Sequence, residues 1–331
     1  MKGIMTPRHV ALWIAFAAIM LLLPQVVSNG TLRIIIFANF LAIFAMSWDF
    51  LSGKTGYVSF GHPFLIGIGA YTTAILSYRF HMPIEYSIPI AVLTTIAGGT
   101  FFFLPALRIK GTYFALVTLA FMELIYQLTQ VIRPDLTGGT RGISGVKTLL
   151  VGAVPNYYFS FLLMLGIALV LWVLARTRLG TALDAIAMNE EAVSGSGLST
   201  TKLKLFAFMV SAAVAGIGGA FYVHYLGSIA PRALFDIDFV FTIIVSALIG
   251  GASTIVGPML GAFFMTFLLE YLRPLLPGSE RYLIYGLVAL VLYVYQPKGI
   301  YAIIADLRDG MRSKNANNSK NSGKVGDGKA A

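Results

Sequence analysis

The chain has 331 residues, 57% of them hydrophobic and only 11% charged, with a mean hydropathy of +0.81. Soluble globular domains carry about 25% charged residues, so this composition excludes that class and points to a bilayer protein. The net charge of +10 does not call for nucleic acid, because basic residues collect at membrane borders for topological reasons, and the lack of cysteine excludes disulfides and thiolate metal sites.

A transmembrane α-helix needs roughly 20 mostly apolar residues. Runs of that length dominate the sequence, and the short alternating segments of a β-barrel are missing. The first run, 9–28, follows Lys2 and Arg8 as in a signal peptide, but the many later runs favour an uncleaved first span. Further spans are expected at 31–51, 57–78, 86–107, 112–132, 157–175, 205–227, 238–251, 254–272 and 281–296. The pair 238–251 and 254–272, divided by Gly250-Gly251, reads as two short crossings or as one crossing with a re-entrant piece. The expected fold is an all-α integral membrane protein: a polytopic bundle of about 8–10 transmembrane helices, some short or re-entrant.

Lys and Arg set the orientation. With the N-terminus inside and ten crossings, 16 of the 24 Lys and Arg fall on the inner side and eight on the outer. Both termini are therefore expected in the cytoplasm, together with the segment from Arg176 to Lys204. The loop from Pro134 to Pro155 reads as an external cap or a passive connector. The tail, 305–331, lacks aromatic residues, is rich in Asn, Ser, Gly and Lys, and is expected to be disordered and cytoplasmic.

The segment 176–204 is a polar stretch between two spans. Leu179, Leu183, Ile186 and Ala187 fall at helical spacing, with Asp184, Glu190 and Glu191 off that face. Ser194-Gly195-Ser196-Gly197 then breaks the helix, and Ser199-Thr200-Thr201 supplies a cap for the span that follows. By residue pattern alone this is an interfacial linker or a contact element for an aqueous partner. Small residues recur every four positions at Ser211, Ala215 and Gly219, and again at Gly257 and Gly261, a pattern that lets helices approach closely. Gly61-His62-Pro63 and Gly67-x-Gly69 interrupt a span with breakers, as helix ends at a transporter midplane do. Gly257-Pro-Met-Leu260 is a faint echo of Gly61-His-Pro-Phe-Leu65. Glu123 lies mid-span, where a carboxylate must line a path, pair with a partner or bond a neighbouring helix. Asp49, near the end of its span, is expected to snorkel to the interface, and His62 to be a satisfied bundle histidine. Ser52-Gly53-Lys54-Thr55 lacks the earlier glycine of a phosphate-binding loop, because position 48 is Trp. The four histidines, at 9, 62, 81 and 224, are scattered and suggest neither a metal site nor an intramembrane enzyme.

Several of these stretches lie in one order. Gly53-Lys-Thr-Gly-Tyr-Val-Ser-Phe-Gly-His62 runs on to Gly67-Ile-Gly-Ala-Tyr71, and Lys110 to Phe121 and Thr137-Gly-Gly139 follow. Then come Asn189-Glu190-Glu191-Ala192, Lys204 to Phe208, Ser211 to Gly216, Ile249-Gly-Gly251, Gly257 to Gly261 and Tyr295 to Ile300. Together they resemble the branched-chain amino acid ABC transporter permeases of the LivM type, over residues 30 to 304. Glu191-Ala192-Val193-x-x-x-Gly197 is similar to the Glu-Ala-Ala-x-x-x-Gly signature with which importer permeases dock on their ATPase, Val193 replacing the second Ala.

The resemblance implies a permease domain at 1–304 with a cytoplasmic coupling segment at 176–204, in the bacterial cytoplasmic (inner) membrane. It implies pairing with a second related permease subunit, two cytoplasmic ABC ATPase subunits and a periplasmic or extracellular substrate-binding protein. ATP-Mg would sit on those partners, with no cofactor or metal on this chain and no nucleic-acid partner. Glu190, Glu191, Ala192 and Gly197 become the ATPase-coupling residues. Gly61, His62, Gly69, Tyr71 and Glu123 become candidates for the translocation path, and Ser211, Ala215, Gly219, Gly257 and Gly261 serve helix packing. The implied cargo is leucine, isoleucine or valine, moved inward by alternating access. Urea, amides or aromatic acids are the alternative for the same permease type, and a secondary carrier is a further one.

Overall fold

The computed structural model describes residues 20–107, 109, 111–276, 284, 286–288, 290, 291, 294 and 299–302. The expected spans at 9–28 and 281–296 lie largely outside these residues, and the tail at 305–331 lies wholly outside them.

Ser28 opens the first long helix, α1 (Asn29–Trp48), its side chain accepting from the Thr31 amide at 3.3 Å. The helix runs on into a π turn, Asp49–Gly53. Every residue from Ala38 to Ser52 is buried, as expected for a helix that is apolar on all sides. The remaining long elements are α2 (His62–Arg79), α3 (Ile84–Ala106), α4 (Thr112–Val131), α5 (Ala153–Ala175), α6 (Arg178–Met188), α7 (Glu190–Gly195), α8 (Thr200–Leu226), α9 (Ile237–Gly250) and α10 (Val256–Leu272). Helices α5, α8, α9 and α10 pack around α1, while α2 sits between α3 and α8.

Among the described residues, six segments are long and apolar enough to cross a membrane: Asn29–Gly53, Ile84–Ala106, Thr112–Val131, Ala153–Ala175, Thr200–Leu226 and Pro231–Gly250. Helices α3, α4 and α5 are peripheral and present Leu93, Phe101, Leu162 and Leu169 outward. The expected span at 57–78 is instead a helix beginning at His62. Gly56 takes a left-handed φ of +75°, and Pro63 in the first turn starts the new helix. This helix is mostly buried by its neighbours, so it does not need lipid-grade apolarity.

Close helix approaches hold the centre. A Cβ on Gly69 of α2 would stand 2.7 Å from the Gly216 carbonyl oxygen of α8, and one on Gly219 would meet the Ile66 carbonyl. Ser211 donates to the Ser47 carbonyl at 2.8 Å and Ser47 to the Ser211 carbonyl at 2.7 Å, a reciprocal tie between α1 and α8. Asn39 Nδ2 donates to Ser160 Oγ of α5 at 3.0 Å.

The loops gather at two ends. At one, Lys54, the α6–α7 segment and residues 251–255 come together. At the other, a two-residue strand β1 (Ile143–Ser144) pairs antiparallel with β2 (Ser228–Ile229). There His224 Nδ1 donates to the Lys147 carbonyl at 2.7 Å, and Thr73 Oγ1 lies 2.9 Å from His224 Nε2. The 134–155 loop is thus tied into the bundle as a cap. Residues 238–272 form two helices running in opposite directions: α9 leaves the β2 end and stops at Gly250 near Asp49, and α10, shorter than the six long segments, returns to bring Phe267 and Tyr271 beside Thr31 and Ile34. The echo between 61–65 and 257–260 corresponds to two helix starts at the Lys54 end, each with a proline in the first turn.

Candidate functional site

The Lys54 end carries the densest polar structure. Helix α5 stops at Ala175, and Arg176 lies over the Trp172 ring, 3.9 Å from its centroid. Thr177 caps α6, accepting from the Gly180 amide at 3.4 Å. Gly180 sits so close to the Ala175 backbone that a Cβ would be 2.7 Å from its Cα, so this tight turn requires glycine. Of the expected apolar face, Leu183 and Ile186 are buried, while Leu179 and Ala187 are exposed. The helix breaks earlier than the glycine run suggested. Asn189 adopts an extended φ of −161°, and its side chain accepts from the Ala192 amide at 3.0 Å, starting α7. Gly197 then turns the chain at φ +86°, and Ser199 caps α8 through the Lys202 amide at 3.5 Å.

Two ion pairs clamp this segment to the bundle. Lys204 Nζ, almost fully buried in the first turns of α8, donates to Glu190 Oε1 at 2.7 Å. Tyr57, on the loop after α1, donates its hydroxyl to Glu190 Oε2 at 2.5 Å, receives Lys204 Nζ at 3.2 Å, and places its ring 4.4 Å from that ammonium. Burial raises the Glu190 carboxyl, but the Lys204 ammonium and the Tyr57 hydroxyl outweigh it and hold the pKa below the ordinary carboxylate value. Burial, reinforced by the Glu190 carboxylate, pushes the Tyr57 phenol up, so it remains a donor at neutral pH. Lys54 Nζ forms the second pair, reaching both Asp184 oxygens at 2.9 and 3.1 Å. Lys54 is thus engaged by a carboxylate at the end of a helix, which is not the strand-to-helix setting of a phosphate-binding loop.

Asp49 does not snorkel. It is fully buried, and its carboxylate accepts from the amides of Ser253 at 2.6 Å and Ile255 at 3.3 Å. Those residues hold φ of +65° and +63°, so the turn between α9 and α10 exposes amides that only a strong acceptor at this spot satisfies. Ser253 Oγ also donates to the Gly53 carbonyl.

The outward face of the segment is open. Glu191, Ala192 and Gly197 are exposed, beside Met188 at 88% and Leu198 at 51% exposure. Large apolar side chains displayed on a polar loop mark a contact surface.

The path candidates separate in space. Gly61 abuts the Thr118 backbone of α4 and Gly69 abuts α8, so both glycines are close approaches. His62 is buried with Nε2 2.9 Å from Ser47 Oγ. Because the Ser47 proton goes to the Ser211 carbonyl, the imidazole is the donor. Tyr71 stacks on Phe235, centroids 6.4 Å apart. Phe235 and Glu123 line an open cavity of about 590 Å³ between α4 and the segment 232–237. Of the small residues, Ser211, Ala215 and Gly219 face the α1 and α2 side of α8, and Gly257 and Gly261 press against the α9 backbone from Ser246 to Gly251. The sequence reading missed Lys54, Tyr57, Asp184 and Lys204 as a unit. Their only trace there is opposite charge at the ends of spans assigned to one side of the membrane.

The chain matches the family described as "Branched-chain amino acid transport system / permease component" over residues 30–294. It is 28% identical over 306 residues to the high-affinity branched-chain amino acid transport system permease protein LivM of Salmonella typhimurium, covering 84% of this chain and 71% of that protein. The Escherichia coli LivM protein matches with the same figures: 28% over 306 residues, 84% and 71%. The ribose import permease protein RbsC of Haemophilus influenzae is 28% identical over 248 residues, 72% of each chain. No solved structure matches.

Proposed function

The chain belongs to the branched-chain amino acid transport system permease family, and from that premise we propose that it imports leucine, isoleucine or valine as one of two permease subunits driven by ATPases on other chains. It is a multi-pass inner-membrane permease subunit of an ABC transporter. In this reading the Lys54 end faces the cytoplasm, and α6, α7 and the Gly197 turn enter a groove on the ATPase. Glu191 and Ala192 meet the groove with Met188 and Leu198 beside them, while Glu190 faces inward to anchor the segment. A second related permease completes the membrane part, a periplasmic or extracellular binding protein delivers the amino acid, and ATP-Mg is held by two ATPase subunits.

The observation that carries the reading is the Lys204–Glu190–Tyr57 clamp. It joins the exposed docking surface at once to the first turns of α8 and to the loop between α1 and α2. ATP binding closes the ATPase pair, the segment follows its groove, and the clamp passes that displacement to two helices of the core. Relatives include the LivM proteins and a ribose import permease, so uptake separates the cargoes. Cells carrying the full transporter should accumulate labelled leucine in competition with isoleucine and valine and unaffected by ribose. Glu191→Ala or Gly197→Arg should abolish co-purification of the ATPase while the permease still reaches the membrane. Retained ATPase binding in both variants defeats the docking assignment, and ribose uptake without leucine uptake defeats the cargo.

A further inference from the structure

Glu123 sits on α4 about 12 Å from its end at Val131, well inside a membrane-crossing helix. Yet it is exposed on the chain's surface. A carboxylate at that depth is too costly to face hydrocarbon, so this side of α4 meets water or protein. It accepts one hydrogen bond, from Gln127 Nε2 at 2.7 Å, and pairs with no cation among the described residues. The same cavity is lined by Arg232, exposed and likewise without an ion-pair partner among the described residues. A third charge, Asp236, lines the same cavity, and its Oδ1 accepts from the Asp238 amide at 3.1 Å to cap α9. The rest of the lining is mainly apolar, with Leu116, Leu119 and Met122 on the stretch of α4 that precedes Glu123, and Phe235 from the 232–237 segment. At about 590 Å³ the cavity has the size of a small-molecule site.

We propose that this cavity is a substrate-binding site on the permease itself, built for a zwitterionic α-amino acid with an aliphatic side chain. Arg232 takes the carboxylate near the β-strand end, Glu123 takes the ammonium deeper in the span, and Leu116, Leu119 and Met122 receive the side chain. A neutral sugar has no use for a cation and an anion in the same cavity. The assignment rests on the importer reading above.

The absence of cysteine from the chain makes the test direct. Ala120, exposed on the same wall, is replaced by Cys in the assembled transporter, and its reaction with a charged thiol reagent is followed with and without leucine. Leucine should protect the thiol, whereas leucinol (no carboxylate), 4-methylpentanoate (no ammonium) and ribose should protect poorly. Adding Arg232→Gln should raise the half-protecting leucine concentration roughly 10- to 100-fold and erase the preference over leucinol, with Arg232→Lys restoring part of it. Glu123→Gln should do the same for the preference over 4-methylpentanoate. If the parent transporter imports leucine but leucine gives no protection, or protects equally in both Gln variants, the site is refuted alone. If the parent imports no leucine, the importer reading fails and takes this site with it.

Discussion

Lys204→Met is the sharpest perturbation of the clamp. The two ion pairs at this end have the same charges but different burial, so they should differ in energy. Lys204 and Glu190 are 5% and 19% exposed, whereas Lys54 and Asp184 are 8% and 45% exposed. Breaking a fully buried pair from one side costs about 3–5 kcal/mol, because the abandoned charge stays in low dielectric. Glu190 keeps the Tyr57 hydroxyl and some water, which reduces the expected loss for Lys204→Met to about 2–3 kcal/mol. Asp184 is nearly half in solvent, so the Lys54 pair should contribute about 1 kcal/mol or less. Double-mutant cycles of Lys204→Met with Glu190→Gln and of Lys54→Met with Asp184→Asn, read by unfolding in mixed micelles, compare them directly. The Lys204 cycle should give the larger coupling, and Lys204→Met should also lower the amount of substrate moved per ATP hydrolysed. Equal couplings in the two cycles, or a larger one for Lys54–Asp184, would show that burial does not rank these pairs and that the reasoning is wrong.

The clamp should also depend on pH. The folded Glu190 pKa lies below its ordinary 4.5, so its contribution is complete above pH 4.5 and is lost as the pH falls through the lower folded value. Unfolding midpoints measured from about pH 6 down to about pH 3, across the carboxylate range, should fall in the parent and fall less in Glu190→Gln. Asp49→Ala removes the acceptor of the Ser253 and Ile255 amides, with an expected cost of about 2–4 kcal/mol. Limited proteolysis should then cut at 252–255, where the parent resists. Gly69→Val drives a side chain into the Gly216 backbone, separates α2 from α8, and should destabilise by about 3 kcal/mol or more, seen as loss of the monodisperse complex on size exclusion.

Much of the bundle was legible in the sequence because membrane spans and their breakers are local signals. The apolar runs at 31–51, 86–107, 112–132, 157–175 and 205–227 all correspond to helices, displaced at their ends by one or two turns at most. Gly197 and Ser199 declared their roles because a left-handed turn and a helix cap depend on residues close in the chain. What could not be read was partnership between distant residues. Asp49 looked like an interfacial charge because the amides that donate to it lie more than 200 positions away, on a turn whose strained backbone leaves no mark in composition. Glu190 and Glu191 are adjacent and chemically equal in the sequence. Only the fold turns the first inward to Lys204 and leaves the second outside. The early break at Asn189 escaped notice for a subtler reason: asparagine caps and asparagine in helices look alike until the backbone is known.

Helix α8 has a consequence for how tightly the two membrane faces are synchronised. Its 27 residues, roughly 40 Å, run without interruption from the Ser199 cap beside the clamp to Gly227 beside the paired strands. A single rod therefore touches both faces, and no relay of side chains is needed between them. The places where such a rod would flex are Gly216, Gly218 and Gly219, and each is splinted by a different neighbour: Thr95 of α3, Phe44 of α1 and the Ile66 backbone of α2. Stiffness here belongs to the splints as much as to the helix. Slippage between the faces, felt as futile ATP turnover, would then begin with a loosened neighbour while α8 itself stayed intact.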